Sequence, residues 1–197
     1  MKTLQTAMAA AVLVGSAAYA STITYQTNLT GSAESPPNAS AGTGFASVVI
    51  DTVTNTMFVS VSFSGLSGNT TASHIHCCTA SPGVGTAGVA TQTPTFLNLP
   101  LGVTSGSFMQ TLDLTLASSY NPAFVTAEGS VANAETALLA GMASGDAYLN
   151  IHSTVVPGGE IRGFLAVATP EPATLLMAGV ALIGLGVRRR RYSRSQT

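Results

Sequence analysis

The chain has 197 residues, of which only 8% are charged, and a formal net charge of −1. Lys2 and five of the arginines lie at the two ends, so residues 21–169 carry seven acids against the single base Arg162, a net charge of −6. That balance excludes the basic patch that nucleic acid requires, and a mean hydropathy of +0.39 argues against a disordered chain.

In chain order, the first 20 residues read as a secretory signal peptide. Lys2 gives a basic start, Met8 to Val14 an apolar stretch, and Ala18-Tyr19-Ala20 a small-residue cleavage site. Short β-branched alternations then predict strands over Ile23–Leu29, Phe45–Asp51, Met57–Phe63, Ser73–Cys77, Phe108–Leu116, Ala147–His152 and Ile161–Ala168. Two stretches break this pattern. Thr79–Ser105 is dense in Gly and Pro and predicts a long surface loop, a feature that is often functional. Asn133–Met142 places Ala134, Ala137, Leu138 and Met142 at helical spacing and predicts one short helix, with Asn133 as N-cap and Glu135 in the first turn. Val156-Pro157-Gly158-Gly159 predicts a hairpin loop.

After the last strand comes Pro170-Glu171-Pro172, a largely apolar run to Val187, and Arg188-Arg189-Arg190-Arg191. This tail resembles the PEP-CTERM sorting signal of Gram-negative bacteria. The resemblance implies export, transient tethering in the inner membrane, and cleavage by an exosortase-type enzyme near the tripeptide. Fifteen helical residues span about 22 Å, short of a hydrocarbon core of about 30 Å, which suits a temporary anchor. The chain thus divides into 1–20, a mature domain over 21–169, and a sorting signal over 170–197.

Within the domain, Ser73-His74-Ile75-His76, Ala147-Tyr148-Leu149-Asn150-Ile151-His152 and Pro157-Gly158-Gly159-Glu160-Ile161-Arg162-Gly163 resemble the chordin-type (CHRD) domain. Gly31-Ser32-Ala33-Glu34-Ser35-Pro36-Pro37 is similar to an early element of that family. The resemblance implies an all-β antiparallel Greek-key sandwich or barrel, immunoglobulin-like, and carries no general biochemical activity.

The three histidines of the chain all fall in these motifs. Alternation along a strand puts His74 and His76 on one face, and continued extension would add Cys78. With His152 they make a three-imidazole set suited to copper or zinc. The competing account leaves them as half-exposed strand residues hydrogen-bonded to Glu160, Asn150 or backbone. Cys77-Cys78 has three open readings: a small-ring disulfide, soft metal ligands, or cross-links between chains. Arg162 is expected to pair with a carboxylate, Glu160 or Glu34, with Glu160 and Arg162 taken as the structural pair. His152, Glu160 and Arg162 are expected on one outer surface. No nucleophile motif, phosphate loop or Rossmann fingerprint is present.

Two functions follow. The leading one is a non-enzymatic exported surface or matrix protein without a cofactor, handled by an exosortase and set in exopolysaccharide or biofilm. The alternative is an extracytoplasmic Cu or Zn protein using the His-x-His strand.

Overall fold

The computed structural model describes residues 22–168. The expected signal peptide and sorting tail lie outside the described residues. Eight strands form one antiparallel sheet: β1 (Thr22–Thr30), β2 (Thr43–Asp51), β3 (Thr56–Ser64), β4 (Thr70–His76), β5 (Gly106–Asp113), β6 (Tyr148–Ser153), β7 (Ile161–Phe164) and β8 (Ala166–Val167). Their order is β4-β6-β7-β1-β2-β3-β5, with β8 also on β1. The sheet curls so that its inner face encloses one core. Alternation delivers Val48 and Ile50 from β2, Val59 and Val61 from β3, Ile75 from β4, Leu149 and Ile151 from β6, and Ile161 from β7. The all-β antiparallel class expected from the sequence is thus present.

Two helices complete the core where one was expected. α1 (Pro122–Glu128) is capped by Asn121, whose side chain accepts from Ala123 N, and has Pro at its first position. α2 (Val131–Ser144) starts earlier than predicted. Its N-cap is Ser130, which accepts from the Asn133 amide, so Asn133 lies inside the helix. Ala134, Leu138 and Met142 face the core.

The 79–105 segment differs from the surface loop expected. Ala90, Thr91, Phe96 and Leu99 are buried. Along β4 its backbone joins the strand edge, with Ala90 N to Ile75 O at 2.9 Å and Phe96 N to Ser73 O at 3.2 Å. On the other side Leu97 N donates to Gln110 Oε1 of β5 at 2.8 Å. The segment therefore bridges the two sheet edges and satisfies backbone groups that an open sheet would leave unpaired.

Candidate metal centre

β4, β6 and β7 differ from the rest of the sheet because both of their faces are covered. The inner face is apolar. The outer face carries His74 and His76 on β4, Tyr148, Asn150 and His152 on β6, and Arg162 on β7, all buried except the half-buried His152. The cross-strand register sets His74 opposite Asn150 and His76 opposite Tyr148, with Asn150 in turn opposite Arg162. Ile75 and Cys77 turn into the core, and this fixes the outward parity of the two β4 histidines.

Each imidazole is anchored through one nitrogen to a backbone carbonyl in a covering segment. His74 Nε2 meets Pro94 O at 2.7 Å, His76 Nδ1 meets Ala87 O at 2.9 Å, and His152 Nδ1 meets Pro157 O at 2.9 Å. A carbonyl accepts only, so each of these nitrogens carries the proton and the other nitrogen carries a lone pair. Those others, His74 Nδ1, His76 Nε2 and His152 Nε2, are buried and have no hydrogen-bond partner. One ligating nitrogen per ring lies within 4.8 Å of the other two. A tetrahedral zinc with bonds of 2.0–2.1 Å needs edges of about 3.4 Å, so no edge would have to close by more than about 1.4 Å.

Electrostatics keeps these rings neutral. Burial lowers His74 to about 4, with the rings of His152 and His76 adding to it and the Pro94 carbonyl opposing. Burial also lowers His76, against the pull of the Ala87 carbonyl and the Asn150 side chain, and lowers His152 against the pull of Pro157. Neutral imidazoles whose second nitrogen is tied to a carbonyl are what a late first-row metal ion requires. His76 is further held by a parallel stack on Tyr148 at 4.8 Å, and the Arg162 guanidinium lies 4.7 Å from that ring's centroid.

Several expected placements are corrected. Arg162 pairs with Glu34, Nε to Oε2 at 3.6 Å, not with Glu160. It also donates Nη1 to Gly85 O at 3.0 Å and Nε to Ala33 O. Glu160 instead receives Ser40 Oγ at 2.6 Å, Ser67 Oγ at 2.8 Å and the Ser67 and Gly68 amides. Neither residue is on an outer surface: Glu160 is 0% and Arg162 3% exposed. The cause is coverage, since residues 31–40 and 64–69 fold over this side and supply the partners. Cys78 does not join the histidines. It forms a disulfide with Cys77, and the pair rests on α2, where a Cβ on Gly141 would collide with both sulfurs. The disulfide also replaces the soft-ligand and cross-linking readings, because neither sulfur remains a thiol. Ala87, Pro94 and Pro157 act through their carbonyls, and backbone roles leave no side-chain signal in the sequence.

A curled antiparallel sheet with a buried polar layer on half of its outer face is the class that these observations define. A family model for the CHRD domain matches residues 25–165, and the chain belongs to that family. A second model, the PEP-CTERM protein-sorting motif, matches residues 168–191. It directly follows β8 and marks an exported protein, sorted by an exosortase through a membrane-anchored precursor to the cell surface. The comparisons with curated proteins and with solved structures returned no match.

Proposed function

We propose that this protein is a non-enzymatic, surface-displayed CHRD protein whose domain holds one zinc or copper ion through His74, His76 and His152. The observation that carries this reading is the set of three neutral rings, each tied to a carbonyl through one nitrogen and left with the other buried and unpartnered, with one nitrogen of each ring within 4.8 Å of the other two. An acceptor buried without a donor is costly, and three facing each other are satisfied together by one cation. Because the free nitrogens are closed off from solvent, the ion would tie together the segments that cover β4 and β6. Holding, not turnover, suits such a closed site. The setting we propose is the exopolysaccharide of a biofilm, where a body of net charge −6 would approach acidic polymer only through bridging divalent cations.

Metal analysis of the full chain, purified in detergent from cells grown with added zinc and copper, tests the reading. We expect close to one equivalent in the wild type and none in the variant lacking all three imidazoles. A wild-type protein that retains neither metal at micromolar supply overturns it.

A further inference from the structure

We propose that Asn150 is the fourth ligand, its side-chain carbonyl oxygen completing a closed site of three nitrogens and one oxygen for a divalent ion of the zinc type. This rests on the three-histidine reading and adds a donor that neither the histidine spacing nor the family match points to.

Position comes first. Asn150 is central on the polar face, directly across from His74 and between Tyr148 and His152 on its own strand. It is 2% exposed, its Oδ1 is buried with no direct hydrogen bond, and its side chain lies close enough to His76 to pull that ring's proton affinity upward. An asparagine amide inside a covered sheet ordinarily finds donors for its oxygen. Among the described residues, six buried side-chain atoms are unpartnered: Glu34 Oε1, His74 Nδ1, His76 Nε2, Asp146 Oδ1, Asn150 Oδ1 and His152 Nε2. All but Asp146 belong to this layer. With the tautomers fixed by the carbonyls, the three ring nitrogens and Asn150 Oδ1 are acceptors, and four such acceptors gathered on one face call for a cation.

The orientation of the amide follows from Gly159. A Cβ built there would lie 2.7 Å from Glu34 Oε1 and 2.9 Å from Asn150 Nδ2. The two side chains therefore converge over the bare Cα of Gly159. The NH2 end of Asn150 thus lies on the Glu34 side, toward a carboxyl oxygen that has no other partner and that can accept whether or not the carboxyl is ionised. That leaves the oxygen for the remaining side of the amide, the side of the histidines. Glu34, itself held by Arg162, lies beside the amide of Asn150.

The donor chemistry then selects the ion. Three imidazoles with a neutral oxygen make a borderline-to-hard set that fits a four-coordinate divalent ion. Thiolates, which would favour Cu(I), are absent because Cys77 and Cys78 are joined to each other. With all four donors supplied by the protein, no coordination position is left for a substrate.

The test compares zinc affinity and the visible spectrum of the cobalt(II)-loaded full chain for wild type, Asn150→Ala and Asn150→Asp. We expect Asn150→Ala to keep a stoichiometry of one but to bind zinc at least roughly 10-fold more weakly, the lower bound for even outer partners of metal ligands. Its cobalt bands should weaken as water replaces the amide oxygen. Asn150→Asp should restore affinity and band intensity, which separates ligation from a folding defect. Azide should leave the wild-type cobalt spectrum unchanged. If the wild type binds zinc and Asn150→Ala binds it equally tightly with the same cobalt spectrum, the fourth-ligand assignment is wrong and the three-histidine site stands. If the wild type binds no zinc, both fall.

Discussion

His74 and Glu34 are displaced from their ordinary proton affinities in opposite senses. Burial lowers His74 from 6.5 to about 4, and His76 and His152 move the same way. A folded state that resists protonation loses stability as pH falls below the ordinary histidine value towards the lowered one. Glu34 does the reverse: burial raises it from 4.5 to about 7, with Arg162 and the Ser35 backbone opposing only in part. Its contribution is complete below 4.5 and is lost as pH rises through 7. Three groups outweigh one, so the metal-free protein should lose stability on acidification from 6.5 to 4. Denaturant titrations in chelator at several pH values check this, and a flat profile would contradict it. Glu34→Gln should gain on the wild type as pH rises from 4.5 to 7, because the variant has no carboxyl to ionise. A gap between the two that stays constant with pH would contradict this.

At the scale of elements, the β6–β7 hairpin supports both faces of the sheet. Ile161 is fully buried on the inner side, and Ile161→Ala should cost about 2–5 kcal/mol in chemical denaturation. Glu160, expected outside, is a buried carboxylate. Burial raises its proton affinity, but hydrogen bonds from Ser153, Ser40 and Ser67 outweigh this and hold it below the ordinary range. Glu160→Ala strips the acceptor from these donors and should cost on the order of 3 kcal/mol, comparable to Ile161→Ala. A loss well under 1 kcal/mol, as surface substitutions show, would contradict the buried network. Gly141 in α2 admits the Cys77–Cys78 disulfide against the helix backbone. Gly141→Ala should therefore destabilise the domain by roughly 1–3 kcal/mol, despite alanine's better helix propensity. A thermal melt unchanged by the substitution would show that the sulfurs do not pack there.

The seven main strands were legible because Val, Ile, Phe and Thr alternate along them, and the sheet reproduces those runs within a few residues. The α1 helix was missed because seven residues are too few for a periodicity, although Asn121-Pro122 followed by Gly129 is a start and a stop. The burial of the long segment was illegible for another reason: Ala90, Phe96 and Leu99 follow no repeat, and only tertiary structure shows that they bridge β4 to β5. The histidine face was legible from His-x-His alternation alone. The surroundings of Glu160 were not, because its partners lie 93 and 120 residues away in sequence, at Ser67 and Ser40.

Across the whole molecule, the sheet has two unlike halves. β1, β2, β3 and β5 bury one face and leave Phe45, Phe58 and Met109 among hydroxyl side chains on the other. β4, β6 and β7 are covered on both sides, with the polar layer beneath residues 31–40, 81–95 and 154–159. The sorting motif begins at residue 168, right after the strand that pairs with β1. Pro170→Ala with Pro172→Ala should trap the precursor in the inner membrane, visible by fractionation and immunoblotting. Equal delivery of wild type and variant to the surface would count against exosortase processing of this chain. The central claim, that the covered half is built around a metal ion, is tested most directly by X-ray absorption at the zinc edge of the loaded full chain. The account predicts three imidazole nitrogens and one oxygen at about 2.0–2.2 Å. Sulfur scattering at about 2.3 Å, or zinc with fewer than three imidazoles, would contradict it.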